Sequence, residues 1–102
     1  MNMYSIVWKY IINEKTQVEF ESEYGKGGTW SKLFMDSENY SGSFLHKNSD
    51  MNLTYLLIDT WTDKQSYEDF KNAKSHIYES LSSEFEKLYE TEEKIGEFNS
   101  IN

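Results

Sequence analysis

The segment from Tyr55 to Trp61 constrains the fold of this chain more than any other. Its residues are Tyr-Leu-Leu-Ile-Asp-Thr-Trp, and Thr-Asp-Lys-Gln follows at positions 62–65. A nearly continuous apolar run is typical of a β-strand that is covered on both faces. Thr-x-x-Gln is the pattern of a capping box, which opens a helix. The sequence therefore predicts a strand over 53–61 that leads directly into a helix.

The remaining elements alternate around this strand. Three further strands are predicted, over 4–12, 40–47 and 94–99. A Thr-x-x-Glu pattern at Thr16 predicts the start of a first helix, and an apolar stripe from Ile77 to Leu88 belongs to the second helical region. The predicted order is β-α-β-β-α-β with an antiparallel sheet, a ferredoxin-like α+β fold. At 102 residues, the chain is expected to form a single domain over 1–102.

Two helices can cover only one face of this sheet. The alternation leaves an apolar set for the other face, namely Val7, Ile11, Leu45, Leu56 and Ile58. An apolar sheet face must be buried, and the simplest cover is the sheet of a second copy of the chain. We therefore expect a homodimer in which the two sheets together approach a barrel.

Charge and composition exclude several classes of function. The net charge is −8, whereas nucleic acids and anionic lipids are bound by basic surfaces. No apolar run reaches the length of a membrane span. We therefore expect neither a nucleic-acid partner nor a membrane partner. The absence of cysteine excludes disulfide and thiolate chemistry and fits a cytoplasmic location.

Several motifs resemble those of the antibiotic biosynthesis monooxygenase family, whose members are dimeric α+β barrels. They are Gly-x-Trp-x-x-Leu-Phe at 28–34, the strand with Gly42, Tyr55 through Asp59-x-Trp61 into Tyr67-x-x-Phe70, and Glu-Lys-Ile-Gly at 93–96. Members of this family oxidise phenolic or quinol-like aromatics with molecular oxygen, often with no metal or flavin. The resemblance implies a pocket between the sheet and the helices of each subunit, a small aromatic ligand and no cofactor.

The resemblance also implies particular pocket residues. In polyketide-tailoring members, a Trp at the end of the third strand and a Tyr six residues later line the pocket, and these positions match Trp61 and Tyr67. Those members carry an Asn four residues before that Trp, where this chain has Leu57. The predicted substrate-binding residues are all aromatic and are Trp8, Trp30, Trp61 and Phe70. The alternative interpretation is that Trp30 packs a helix on the sheet, while Trp61 and Tyr67 form a ring pair in the core.

Three residues are predicted to handle protons, namely Tyr67, His46 and His76. His46 shares the alternation of Tyr40, Gly42 and Phe44 on the second strand, and a histidine that faces a pocket can act as a general base near neutral pH. The alternative interpretation is that both histidines lie on the surface. No spacing of His, Asp or Glu forms a metal-binding motif, so no metal site is predicted.

Two hypotheses of function remain. The first is a cofactor-independent monooxygenase that acts on a small phenolic or quinol-like aromatic. The second is a non-catalytic homodimer that binds a hydrophobic small molecule. A haem-degrading branch of the same family uses a Trp and a His on the helix after the third strand and an Asn in the first strand. Here Phe70 takes the Trp position, His76 comes too early and the first strand has no Asn before Asn13, so haem cleavage is disfavoured.

Overall fold

Four antiparallel strands form one sheet in the computed structural model, which describes residues 3–101. Their order across the sheet is β2-β3-β1-β4. The strands are β1 (Tyr4–Ile11), β2 (Tyr40–Lys47), β3 (Thr54–Trp61) and β4 (Thr91–Asn99). The first and third strands therefore lie side by side at the centre. This is the split βαβ arrangement, so the predicted ferredoxin-like α+β fold is confirmed.

The helices lie in the two connections that cross the sheet. Each connection contains two helices and a short 3₁₀ turn. The first holds the turn Glu14–Thr16, α1 (Gln17–Tyr24) and α2 (Thr29–Phe34), and the second holds α3 (Lys64–Ala73), α4 (Ser75–Phe85) and the turn Glu86–Leu88. None of the helices in residues 3–101 is long and apolar enough to cross a membrane.

Side-chain caps mark the start of α3 and of the 3₁₀ turn that precedes α1. The Asp63 side chain accepts a hydrogen bond from the backbone N–H of Ser66 at 2.7 Å, so the cap of α3 is Asp63, one residue after the Thr62 of the predicted capping box. In the 3₁₀ turn before α1, the Asn13 side chain accepts from the N–H of Thr16 at 3.2 Å. The Thr16 hydroxyl donates to the carbonyl of Leu88 at 2.9 Å instead of capping α1. The predicted start near Thr16 is confirmed, but Thr16 does not form the capping box.

The two faces of the sheet differ in composition. Ile6 and Trp61 are fully buried beneath the helices, and most of the core beside them consists of aromatic rings. On the opposite face, Val7 lies beside Ile58, while Leu56 is 41% exposed and Phe98 is 51% exposed. This second, apolar surface has no cover within residues 3–101, and we call it the open face.

A bulge in β2 changes which of its side chains share a face. The register shifts between Tyr40 and Gly42, and Gly42 has the left-handed φ of 124°. Tyr40 consequently pairs with Trp61 on the helix face, whereas His46 pairs with Leu56 on the open face. Simple alternation was therefore wrong to place Tyr40 with His46. It was also wrong to place Leu45 on the open face, because Leu45 packs against the core.

Candidate functional site

A cavity of about 200 Å³ lies between the sheet and the helices. Seven aromatic rings line it, together with Leu57 and four polar side chains. The rings are those of Trp8, Tyr10, Tyr24, Trp30, Phe34, Tyr78 and Tyr89, and the polar residues are Asp59, Lys71, Ser82 and Glu92. Walls of this kind suit a flat, apolar ligand that carries a few polar groups.

Strand alternation and helix periodicity bring these residues together. Trp8 on β1 pairs with Leu57 on β3, and the next inward-facing residue of β3 is Asp59. On the helix side of the cavity, Tyr78 and Ser82 project from the same face of α4 because they are four residues apart. The floor of the cavity therefore belongs to the central strands, and part of its roof belongs to α4.

Asp59 is the most unusual group in the cavity wall. Its side chain is 6% exposed, and the Ser43 hydroxyl donates to its Oδ1 at 2.6 Å. No cation lies within ion-pair distance of it among residues 3–101. Burial raises the pKa of Asp59 to about 6, and the hydrogen bond from Ser43 opposes that rise. The group therefore changes charge close to neutral pH.

A chain of hydroxyl groups leads to this carboxyl group. Tyr40 lies 2.5 Å from Ser43, and Ser31 lies 3.2 Å from Tyr40. Each hydroxyl has a single proton to donate. Because Ser43 donates its proton to Asp59, Tyr40 must donate to Ser43 and Ser31 to Tyr40. All three hydroxyl groups thus point their protons towards Asp59.

A second carboxyl group lies at the β4 side of the cavity. The Tyr10 hydroxyl donates to Glu92 at 2.7 Å. Burial, and secondly the Glu92 charge, raise the pKa of Tyr10 well above its ordinary value. Burial also raises the pKa of Tyr24 and of Tyr78. These tyrosines therefore stay neutral at physiological pH and can act as hydrogen-bond donors.

Lys71 provides the positive charge of the cavity wall. Its ammonium nitrogen lies 5.2 Å from the centroid of the Tyr78 ring and 5.3 Å from that of Tyr67. Both distances are within the range of a cation–π interaction. The side chain is thus held at the boundary between the cavity and the neighbouring aromatic cluster.

That neighbouring cluster contains three of the seven site residues predicted from the sequence, namely Trp61, Tyr67 and Phe70. The Trp61 ring packs edge-on against Tyr67 at 5.5 Å between centroids and lies 5.4 Å from Phe70. We call it the closed cluster, and its members are Tyr4, Tyr40, Trp61, Tyr67 and Phe70. Trp61 is fully buried and Tyr67 is 7% exposed. Their rings fill this space, as the alternative interpretation of a core ring pair predicted.

The structure separates the predicted site residues into two groups. Trp8 and Trp30 line the cavity. Trp61, Tyr67 and Phe70 do not line it, although Phe34 contacts both Trp30 and Trp61 and so joins the two regions.

Neither predicted histidine lines the cavity. His46 is exposed on the open face, and His76 is exposed in the first turn of α4. Both therefore have the surface positions that the alternative interpretation gave them.

Sequence reasoning missed Asp59, although a signal was present. Asp59 is the acidic residue within an otherwise apolar strand, and it shares its alternation with Tyr55 and Trp61. Side chains two positions apart on a strand point to the same face, so an acidic residue between two inward-facing residues of this spacing also points into the core. Glu92 was missed because the last strand was predicted only from residue 94, whereas β4 begins at Thr91 and pairs Glu92 with Tyr10. No cluster of three or more potential metal ligands occurs within residues 3–101.

Comparison with known proteins gives a likeness at the level of fold. No family model matches the chain, and no curated protein does. A variant of SnoaB, a cofactor-independent oxygenase from Streptomyces nogalater, matches with a TM-score of 0.75 and 18% identity over 98% of this chain and 94% of its own. The chain has the fold of this protein.

Two further structures extend that likeness. A Bordetella bronchiseptica protein provisionally described as an antibiotic biosynthesis monooxygenase has a TM-score of 0.68 and 16% identity, over 100% of this chain and 98% of its own. A Nitrosomonas europaea protein with the same provisional description has a TM-score of 0.70 and 11% identity, over 98% and 90%. The resemblance to antibiotic biosynthesis monooxygenases is therefore confirmed for the fold.

Proposed function

We propose that this chain is a cofactor-independent oxygenase that oxidises a small phenolic or quinol-like aromatic with molecular oxygen. The observation that carries the proposal is the cavity walled by seven rings, into which the buried Asp59 carboxyl group projects. The fold likeness to SnoaB, which is named a cofactor-independent oxygenase, supports it. The cavity lies between the sheet and the helices, where the resemblance implies that a substrate binds.

The proposed reaction needs no electron donor besides its substrate. A phenol with a ring hydrogen opposite its hydroxyl group can take up one oxygen atom at that carbon and become a quinone. The ring hydrogen and the hydroxyl hydrogen then leave with the second oxygen atom as water. The substrate supplies all four electrons that reduce molecular oxygen. The protein has to position the ring and manage the protons.

The cavity residues suit these two tasks. The rings of Trp8 and Trp30 provide flat surfaces on which an aromatic substrate can stack. The neutral hydroxyl groups of Tyr24 and Tyr78 can donate hydrogen bonds to an oxygen atom that becomes negatively charged as electrons leave the ring. Tyr67, His46 and His76 remain predicted proton-handling residues, but all three lie outside the cavity wall.

Oxygen uptake by the purified protein tests the proposal. It is measured with a panel of reduced phenols and hydroquinones and no added cofactor, with oxygen-18 to follow the atom that enters the product. We expect uptake above the spontaneous rate and a single labelled oxygen atom in the quinone. Tyr67→Phe shows whether the closed cluster takes part.

A pair of serine variants locates the site. Ser82→Tyr places a ring in the cavity, whereas Ser80→Tyr places the same ring on the exposed side of α4. We expect Ser82→Tyr to lose activity and Ser80→Tyr to keep it. Equal activity of both variants would contradict the cavity as the site.

The second candidate function is binding without catalysis. The observation that favours it is Leu57, an apolar side chain in the cavity wall at the position where the resemblance implies an amide group. This alternative predicts saturable binding of aromatics with no oxygen uptake across the panel. Tryptophan fluorescence reports such binding, because Trp8 and Trp30 line the cavity.

We further propose that the open face packs against the same face of a second copy. Both edge strands place a phenylalanine ring over a glycine there, since a Cβ at Gly42 would lie 3.5 Å from the Phe44 ring and one at Gly96 would lie 3.1 Å from the Phe98 ring. With Ile58 between them, these rings form an apolar surface of the kind that marks an interface.

The oligomeric state in solution tests the interface. Ile58→Glu introduces a charge at the centre of the open face, and Val18→Glu introduces the same charge at an exposed site on α1. Analytical ultracentrifugation should show a dimer for the native chain and for Val18→Glu, and a monomer for Ile58→Glu. A native chain that sediments as a monomer would contradict the proposal.

The proposed location is the cytoplasm. The chain has no cysteine, so nothing in its fold depends on an oxidising compartment. Cell fractionation with an antibody against the chain tests this placement.

A further inference from the structure

We propose that Asp59 binds the hydroxyl group of the aromatic ligand and accepts its proton, and that Ser43 positions Asp59 for this task. The inference rests on the proposed function for its catalytic part. It names the group that removes the hydroxyl proton, a role for which the sequence suggested only Tyr67 and the two histidines.

The position of Asp59 shows how a ligand can reach its carboxyl group. Its carboxyl group lines the cavity from β3, although the side chain is 6% exposed. The bulk of the residue is therefore surrounded by protein, and the cavity is the side from which a ligand can reach it. Burying a carboxyl group costs free energy. No cation pairs with Asp59 among residues 3–101 to offset that cost.

The hydrogen bonds of Asp59 show which of its oxygen atoms is available to a ligand. Oδ1 accepts from Ser43 at 2.6 Å, and no side chain or backbone group of residues 3–101 donates to Oδ2. One oxygen atom is thus held and the other is left for a ligand. The Tyr40 hydroxyl at 2.5 Å and Ser31 beyond it orient Ser43 so that its proton points at the carboxyl group.

The proton transfer follows from this arrangement. The hydroxyl hydrogen of the phenol moves to Oδ2 of the Asp59 carboxylate, which becomes a neutral carboxylic acid, and the ligand becomes a phenolate. The phenolate is the electron-rich form that reduces molecular oxygen. The neutral acid then holds a proton that can be returned when the second oxygen atom leaves as water.

Burial and the Ser43 hydrogen bond set the pH range of this step, because they are the two causes that shift the pKa of Asp59. The other charged groups that line the cavity with Asp59 are Lys71 on α3 and Glu92 on β4. The remaining titratable groups that line the cavity or contact Ser43 are tyrosines that burial keeps neutral, namely Tyr10, Tyr24, Tyr40, Tyr78 and Tyr89. Asp59 is thus the group in the cavity whose pKa burial brings near neutrality.

A pair of probes isolates the hydroxyl contact without any oxidation. 1-Naphthol has a hydroxyl proton, and its methyl ether has the same rings without one. Binding of each is measured anaerobically at about pH 8, where Asp59 is ionised. We expect the native protein to prefer 1-naphthol by about tenfold, because a hydrogen bond to a carboxylate is charge-assisted. The preference should fall below about pH 6, as Asp59 becomes protonated.

Two substitutions of the same kind complete the binding test. Asp59→Asn keeps the size of the side chain and removes its charge, whereas Asp69→Asn makes the same change at an exposed position of α3. We expect Asp59→Asn to reduce the preference to about twofold and Asp69→Asn to keep it. A native preference that Asp59→Asn retains would overturn the inference, as would the absence of any preference or of any binding in the native protein.

Oxygen uptake separates the two proposals. If the protein is an oxygenase, kcat should rise with pH through the pKa of Asp59, and Asp59→Asn should lower kcat by about a hundredfold at about pH 8. Ser43→Ala should move the midpoint of the pH profile upwards, which a loss of packing alone would not do. If the native protein prefers 1-naphthol through Asp59 but consumes no oxygen, the oxygenase fails while the hydroxyl contact stands. If uptake occurs and Asp59→Asn leaves it unchanged, Asp59 is not the proton acceptor.

Discussion

The closed cluster and the cavity lie side by side beneath the same helices, and both are built from aromatic rings. In the closed cluster, Trp61 is fully buried, and the rings of Tyr40 on β2 and Tyr67 on α3 contact it. In the cavity, rings such as Trp8 and Tyr78 surround a space of about 200 Å³. The difference is that Asp59, Ser82 and Glu92 are interspersed among the cavity rings. Aromatic content alone therefore does not indicate where a pocket lies.

The difference has a physical reason. A ring cluster collapses until its space is filled, because each void forfeits dispersion contacts. Polar side chains oppose that collapse, since their desolvation has to be compensated by hydrogen bonds. The buried Asp59 obtains one such bond from Ser43, and the exposed Glu92 accepts one from Tyr10.

The largest expected effect is the difference in lost stability between alanine substitutions at two tryptophans. Trp61→Ala leaves a void in the closed cluster and should lower the free energy of unfolding by about 3–5 kcal/mol. Trp8→Ala should cost less than half as much, because Trp8 is partly exposed and already borders a space. Urea denaturation measures both values. Equal costs would mean that the cavity rings are packed as tightly as the closed cluster.

The next effect concerns the charge of Asp59. Its pKa is about 6 in the folded chain against an ordinary value of 3.8. A raised pKa means that the protonated form favours folding, so this stability is fully present below about pH 4 and is lost as the pH rises through about 6. About two pKa units correspond to about 3 kcal/mol. We therefore expect Asp59→Asn to be more stable than the native chain by up to this amount at about pH 8.

Denaturation across this pH range checks the sign. The native chain should lose stability relative to Asp59→Asn between about pH 4 and 6 and keep a constant difference above that range. Asp69→Asn serves as the control for the loss of one exposed charge. A destabilised Asp59→Asn would show that the carboxylate is more strongly stabilised than burial alone allows.

A smaller effect is expected at Ser43. Ser43→Ala removes the hydroxyl group that donates to Asp59, so the pKa of Asp59 should rise further. A hydrogen bond to a charged group contributes about 1.5 kcal/mol, which corresponds to about one pKa unit. NMR titration of the Asp59 carboxyl carbon measures the shift. Ser41→Ala, at an exposed position of the same strand, should leave it unchanged.

The smallest effect is expected at Lys71, which contacts both regions. Lys71→Met keeps most of the side-chain volume but removes the cation from the rings of Tyr67 and Tyr78. We expect a loss of about 0.5–1 kcal/mol in the free energy of unfolding. Lys32→Met, at an exposed position of α2, is the matched control. Equal stability of the two variants would exclude a cation–π contribution.

Much of the fold could be predicted because its signals are local. The strand at 54–61 and the helix start near Thr16 each follow from patterns within a few residues. The faces of β2 could not be predicted in the same way. The bulge next to Gly42 inserts one residue into the alternation, and nothing in the neighbouring residues identifies it before the strand is paired.

The candidate site could be predicted only in part. Trp8 and Trp30 were among the aromatic residues predicted to bind the substrate, and both line the cavity. Trp61 was predicted with them and Tyr67 was predicted to handle protons, but these two rings are packed against each other at 5.5 Å between centroids. Whether a ring lines a cavity or packs against another ring depends on which helices pack against that part of the sheet.

The sequence by itself determined the order of the elements, the inward alternation of β1 and β3 and the aromatic character of the core, because period and composition act along the chain. Only the tertiary structure decided where the space lies and which polar groups meet there. Ser31, Tyr40, Ser43 and Asp59 come from α2, β2 and β3, and they form one hydrogen-bonded chain only after those elements pack. Burial of Asp59, and with it the pKa near neutrality, is likewise a property of that packing.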